Sequence, residues 1–174
     1  MFSQIEIRPL KLEDLSTIYQ LDRSEEVRRS YLHEGGALIA KEENVTIIND
    51  DDFWDGHIGN WQEAIEKNAV AFAAYDKDKL AGFAIMSMDV EARATQILAL
   101  YVDTDHRLSG IAKSLYLEMF DASKSANKET LYVAATPTES AVRFYLSQGF
   151  EVLKGKNRNL LYLQDGDIHM SKRI

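Results

Sequence analysis

Ile5 and Ile7 alternate with polar neighbours, and this period of two predicts a short first strand over Gln4–Arg8 that Pro9 ends. Leu12, Leu15, Ile18 and Tyr19 recur at helical spacing and predict a helix over Glu13–Asp22. The charged stretch Asp22–Arg29 either extends that helix or opens another. Leu38/Ala40 and Val45/Ile47 alternate on either side of Lys41-Glu42-Glu43-Asn44, which predicts a β-hairpin. Asn49–Trp61 reads as a long irregular segment, a feature that compact domains reserve for function or motion. Gln62–Lys67 reads as a short helix.

The second half has sharper periods. Val70–Tyr75 and Leu80–Met88 form a hairpin around Asp76-Lys77-Asp78-Lys79. Thr95–Val102 is apolar on both faces, as expected of a central strand. Ile111, Leu115 and Met119 share one stripe of a helix over Leu108–Ser123. Thr130–Ala135 is a buried strand, and Pro137 precedes a helix whose face carries Ala141, Phe144, Tyr145 and Gln148. Gly149 ends that helix. Phe150–Leu153 and Leu160–Leu163 are assigned to one strand interrupted at Gly155. Asp165-Gly166 is a hairpin turn into a last strand, Asp167–Lys172. Hairpins mixed with two strand–helix–strand crossovers predict an α/β domain of the α+β kind, a mixed sheet with helices packed on it.

The 174 residues suit one domain, 1–174, able to bury a full core. Cysteine is absent, which excludes disulfides, thiolate metal sites and a cysteine nucleophile. The 28 acidic residues outnumber the 20 basic ones, leaving a net charge of −8. That balance disfavours nucleic acid and anionic membranes as partners. The opening Met1–Arg8 shows no basic stretch followed by an apolar one, so no secretory signal is expected and the location implied is cytoplasmic. His33, His57, His106 and His169 show no metal-ligand spacing, and no metal is expected. No Gly-x-Ser-x-Gly elbow supports a serine hydrolase.

The sharpest chemical signal lies between the central strand and the helix after it. Asp103-Thr104-Asp105-His106 is followed by Arg107-Leu108-Ser109-Gly110-Ile111-Ala112-Lys113-Ser114. A helix N-terminus offers unpaired N–H groups and a positive dipole end, hence an anion site. Gly110 permits close backbone approach and Arg107 adds charge. His106 beside it is read as a solvated side chain.

Arg107-x-x-Gly110-x-Ala112 resembles the segment that opens the pyrophosphate-binding helix of the GNAT superfamily of acyl-CoA N-acyltransferases. Ser140–Phe150 resembles that superfamily's Ala-x-x-Phe-Tyr-x-x-x-Gly-Phe segment, and His169-Met170-Ser171-Lys172 its last strand. The resemblance covers the first strand and helix and most of the chain from Ala69 onward. It implies a central mixed, mostly antiparallel sheet flanked by helices. It also implies acetyl-CoA as co-substrate. Leu100, Tyr101 and Val102 would lie beside the pantetheine arm, one backbone N–H polarising the thioester carbonyl. Arg107, Leu108, Ser109, Gly110, Ile111, Ala112 and Lys113 would surround the pyrophosphate. Tyr145 would sit near the thioester sulfur and donate a proton to the leaving thiolate. Two departures stand out: Thr138 occupies a position where the family often has Asn, and Ser109 one where Gly or a basic residue is common.

The resemblance thus implies an acetyl-CoA-dependent N-acetyltransferase in which a primary amine attacks directly. The other reading is a non-catalytic acyl-CoA sensor or interaction module on the same fold. A small-molecule or peptide amine is the expected acceptor, and Tyr31–Trp61 the segment that shapes its pocket. Phe53, Trp54 and Trp61 either wall that pocket or anchor the segment to the core. Asp50, Asp51, Asp52 and Asp55 either attract a cation or are solvated. Glu25, Glu26, Glu34 and Asp89 are candidate bases, and the sequence does not choose among them. The edge of the last strand is open to pairing with a second copy, which would make a homodimer.

Overall fold

The computed structural model describes residues 5–174, so Gln4 and the first three residues, where part of the predicted first strand falls, lie outside the described residues. The described strands are β1 (Ile5–Pro9), β2 (Glu25–Glu34), β3 (Ala37–Ile47), β4 (Val70–Asp76), β5 (Lys79–Glu91), β6 (Ala94–Val102), β7 (Thr130–Ala135), β8 (Glu151–Val152) and β9 (Ile168–Arg173). The α-helices are α1 (Asp51–Lys67), α2 (Ile111–Ser125) and α3 (Glu139–Ser147). The main sheet has the order β1-β4-β5-β6-β7-β9-β8, and β2 and β3 form a separate ribbon. Among the described strands of the main sheet, β6 and β7 pair in parallel and the other neighbours are antiparallel. This is the mixed, mostly antiparallel sheet that the sequence implies.

The period-two pattern of β5 explains the two cores. Ala84 and Met86 point to one face, where they meet Leu115, Met119 and Val142 of α2 and α3. Phe83 and Ile85 point to the other, where they meet Trp54 and Trp61 of α1. Each face of the central strands is thus dry, and helices cover both.

Five expectations are corrected. The first helical segment is a 3₁₀ helix, Leu12–Gln20, rather than an α-helix over Glu13–Asp22. Asp22–Arg29 does not continue it, because Glu25 begins β2. The predicted hairpin across Lys41–Asn44 is instead one continuous strand, β3, whose partner is β2. Gly35 (φ +59°) and Gly36 (φ +89°) supply the left-handed turn between them. Asn49–Trp61 is not irregular: Asp50 accepts a hydrogen bond from the Phe53 N–H and caps α1, which runs on through the short helix read at Gln62–Lys67. Finally, Leu160–Leu163 forms no strand; β8 is only two residues long and a loop of residues 153–167 leads to β9.

The predicted helix over Leu108–Ser123 starts three residues later, at Ile111, because Leu108 and Gly110 both have positive φ. In α3, Thr138 takes the N-cap and accepts from the Ala141 N–H. The β2–β3 ribbon is tied to this point: the Tyr31 N–H donates to the Pro137 carbonyl at 2.8 Å, and Arg29 meets Glu139 at 3.3 Å.

Gly82 marks the tightest approach of sheet and helix. A Cβ there would lie 2.8 Å from the Tyr101 carbonyl oxygen and 3.1 Å from Ile111 Cγ2. Gly82→Ala is therefore expected to destabilise the fold by about 1–3 kcal/mol through overpacking. Urea unfolding measures this, and an unchanged midpoint would mean that α2 is free to move away.

Candidate active site

β6 and β7 pair from Ala94 opposite Thr130 to Ile97 opposite Val133. Both strands then continue without pairing to each other, β6 to Val102 and β7 to Ala135. A bulge on β6 marks the parting: Ile85 faces Ala99 and Met86 faces Ile97, so Leu98 is the extra residue. Bulges bend the strand that carries them. Beyond it, β6 keeps β5 on one edge and turns the other toward a cleft of about 790 Å³. The cleft passes from the α2/α3 face of the sheet to the α1 face.

Ten of the eleven residues singled out from the sequence line this cleft: Leu100, Tyr101, Val102, Arg107, Leu108, Gly110, Ile111, Ala112, Lys113 and Tyr145. Ser109 does not; its hydroxyl donates to the His106 carbonyl within the turn. Gly110, at φ +88°, precedes the first residue of α2, and a Cβ there would meet nothing within 4 Å. The first-turn N–H groups of α2 thus face open space with the positive end of the helix dipole behind them. Leu108 is fully exposed at φ +59°, a conformation that costs a non-glycine residue about 1 kcal/mol. Lys113 and Arg143 are exposed at the same rim. Arg107 is held at the cleft wall: its Nη2 donates to the Arg23 carbonyl at 3.0 Å, and its Nη1 lies 3.9 Å from Glu25.

The turn that carries these residues is pinned by Asp103, which is 1% exposed. Burial alone would raise its carboxyl, but N–H donors from Asp22 and Asp105, His106 and nearby Lys79 outweigh it, and the net shift is downward. His106 is not solvated as expected. Its Nδ1 lies 3.2 Å from Asp103 and its Nε2 3.2 Å from Asp76, so it bridges the turn to the end of β4.

Tyr145 lies in α3, 7% exposed, edge-on to Phe144 and Phe150 with centroids 5.3 Å apart in each case. Burial, and then the neighbouring Tyr101, push its phenol far above the usual tyrosine range. Tyr101 is likewise pushed up to about 12, chiefly by burial. Both phenols therefore keep their protons at neutral pH.

On the α1 face the aromatics divide. Trp54 is wholly buried and serves the core, whereas Phe53 and Trp61 reach the cleft. The four aspartates of this segment do not line it: Asp50 caps α1, Asp51 and Asp52 are exposed in its first turn, and Asp55 accepts from Tyr19. Of the four candidate bases only Glu25 lines the cleft; Asp89, for one, bonds Asn68 and Lys128. Sequence reasoning missed His57, Arg143, Gln164 and Asp167, all of which line it. The loop 153–167, part of which reads as strand in the sequence, is anchored by the Gln96 side chain, which exchanges two hydrogen bonds with Leu161, by Asn157 to His169 and Glu91, and by the contact of Gln164 with His57. Among the described residues no group of three or more metal-ligating side chains is present, and no helix is long and apolar enough to cross a membrane.

A family model described as the acetyltransferase (GNAT) family matches residues 13–150. No curated protein matches the sequence. Among solved structures, a nourseothricin acetyltransferase superposes with a TM-score of 0.74 at 19% identity, covering 97% of this chain and 98% of the other. The PaiA N-acetyltransferase of Thermoplasma acidophilum, in complex with coenzyme A, gives 0.66 at 20% identity, covering 98% and 99%. The ribosomal-protein-S18-alanine N-acetyltransferase of Escherichia coli gives 0.62 at 19%, covering 98% and 94%. At these identities the likeness is one of fold.

The depressed Asp103 carboxyl has a consequence for acid stability. A group whose folded pKa lies below its unfolded value of about 3.9 contributes its full stabilisation above that value and loses it as pH falls through the folded pKa. Asp103→Asn is expected to lower stability at pH 7 and to flatten its decline below about pH 4. Thermal melts across pH measure both, and an unchanged acid limb would remove Asp103 as the pin.

Proposed function

The chain belongs to the acetyltransferase (GNAT) family, and from that premise we propose that it transfers the acetyl group of acetyl-CoA to a primary amine by direct attack. The observation that carries the proposal is the bare edge of β6 beside an open helix N-terminus. These residues fit such a co-substrate. An arm rich in amide groups can pair with the edge at Leu100–Val102 as an added strand does. A pyrophosphate suits the first turn of α2, where Gly110 presents no Cβ and Lys113 and Arg143 add positive charge. Bound there, acetyl-CoA supplies an activated acyl group.

The protein's own contribution is positioning, polarisation and a proton. A β6 N–H at the cleft can donate to the thioester carbonyl, stabilising charge as it develops. Tyr145, protonated before the reaction, donates its proton toward the leaving sulfur. Arg107 lines the cleft as its motif implies, and it also fastens the phosphate turn to Arg23 and Glu25 at the start of the ribbon. The ribbon and α1, residues 31–61, are the acceptor side. With no cysteine in the chain, no acyl group passes through a thiol.

Two variants test the reading. Ala112→Glu places a carboxylate in the first turn of α2, where it favours the helix but repels a phosphate. Calorimetry is expected to show acetyl-CoA binding by the wild type and its loss in the folded variant; binding by both would overturn the phosphate assignment. Tyr145→Phe is expected to keep binding within about twofold and to lower kcat by about 100-fold or more. Unchanged turnover would reduce Tyr145 to a packing residue.

A further inference from the structure

We propose that Asp167 receives the acceptor's ammonium group and takes its proton, and that the acceptor is a monoamine on a flat, apolar frame. The proposal rests on the acetyl-transfer reading above.

Asp167 sits one residue ahead of β9, whose first residue, Ile168, pairs with Ala135 at the end of β7. It therefore stands at the mouth of the gap between β6 and β7, half-buried. Ile168 turns into the core on the α2/α3 face, while Asp167, just before the strand, lines the cleft together with Tyr101 and lies near enough to act on its phenol. The Gln164 N–H donates to Asp167 Oδ2 at 2.9 Å, which fixes the carboxylate. Its other oxygen, Oδ1, remains for a ligand. Burial raises the Asp167 carboxyl above the ordinary range, with the Gln164 N–H and Lys156 only partly offsetting it. A carboxylate so raised is a better proton acceptor than a solvated one. Asp167 also helps raise the Tyr101 phenol, which in turn raises Tyr145. The three groups therefore form one neighbourhood across the cleft.

The acceptor class follows from the surroundings. Among the described residues lining the cleft, the carboxylates are Glu25 and Asp167. Glu25 faces Arg107 at 3.9 Å, which leaves Asp167 to match one positive charge. The Arg23 guanidinium, 3.5 Å above the Phe53 ring, repels a second cation at this end. Tyr101 and Tyr162 bring ring faces to the cleft wall, beside a Phe53 ring already covered by Arg23 and His57 and a nearly buried Trp61. Such faces attract an ammonium and stack on a flat frame. A polyamine or a polycationic sugar would leave charges unmatched here.

In the reaction, the ammonium gives one proton to the Asp167 carboxylate. The freed nitrogen lone pair forms the C–N bond to the acetyl carbon while the C–S bond breaks. The sulfur departs with the bonding pair and is protonated from the Tyr145 hydroxyl, which recovers its proton from the acylated nitrogen. The products are the acetamide and the CoA thiol.

The test uses acetyl-CoA, tyramine and spermidine with the wild type, Asp167→Asn and Asp167→Glu. Asp167→Asn is expected to bind acetyl-CoA as the wild type does, while kcat/KM for tyramine falls about 100-fold. Its residual rate should climb about tenfold per pH unit toward the amine pKa near 10.4, because only free base then reacts. Asp167→Glu should recover part of the loss, and the wild type should prefer tyramine to spermidine by at least about tenfold. A rate in Asp167→Asn within threefold of wild type, an unchanged pH profile, or a preference for spermidine would overturn the proposal. So would a failure of the wild type to bind tyramine by calorimetry. Acetyl-CoA binding is scored separately: its absence, with tyramine binding that still depends on Asp167, would overturn the transfer reading and keep the amine site.

Discussion

β6 and β7 cannot stay paired and also make a site, and their separation after Ile97 and Val133 sets everything downstream. Parallel strands normally continue their ladder, since each unpaired backbone group in a dry place costs about 1–3 kcal/mol. The bulge at Leu98 gives the separation a local cause. It bends β6 while the β5 side of the ladder resumes at Ile85 opposite Ala99, so one edge stays satisfied and the other opens. Gly82, opposite Val102, then lets α2 press close to the end of β6. The helix N-terminus thereby meets the bare strand edge. The two features that would hold the two ends of acetyl-CoA are thus consequences of one irregularity.

The turn between β6 and α2 must hold its shape with two positive-φ residues, Leu108 and Gly110, within three positions. Asp103 and His106 supply the rigidity from below, linking it to β4, β5 and the segment before β2. Arg107 links it to Arg23 and to Glu25, the first residue of the ribbon. Charge along the cleft is therefore divided: Lys113 and Arg143 lie beside the helix N-terminus, while Asp167 stands beside the aromatic wall. Under the proposed reading, an anionic co-substrate and a cationic acceptor would be drawn to different ends.

Much of this was legible in the sequence, unevenly. From Val70 on, strong alternation and the Ile111/Leu115/Met119 stripe identify the elements that form the core, and the motif residues between Arg107 and Ala112 do meet the cleft in all but one case. The first half misled for physical reasons. Gly56 and Gly59 lower helix propensity in α1, and four aspartates resemble a loop; yet Asp50 is a cap, Asp51 and Asp52 suit the helix dipole, and burial of Trp54 and Trp61 decides the outcome. The ribbon is largely exposed on both faces, so its apolar pattern is weak and only Gly35-Gly36 signals the turn. Asp167 reads only as the start of the last strand, because the loop that brings it to the cleft is shaped by long-range bonds from Gln96 and His57 rather than by local pattern.

The central claim is that the free edge of β6 receives acetyl-CoA as an added strand. Amide hydrogen exchange across Leu98–Val102, measured with and without acetyl-CoA, addresses it directly. The account predicts slower exchange in this segment and in the first turn of α2 on binding, with β4 unchanged. Binding that leaves Leu98–Val102 exchanging at the ligand-free rate would contradict it.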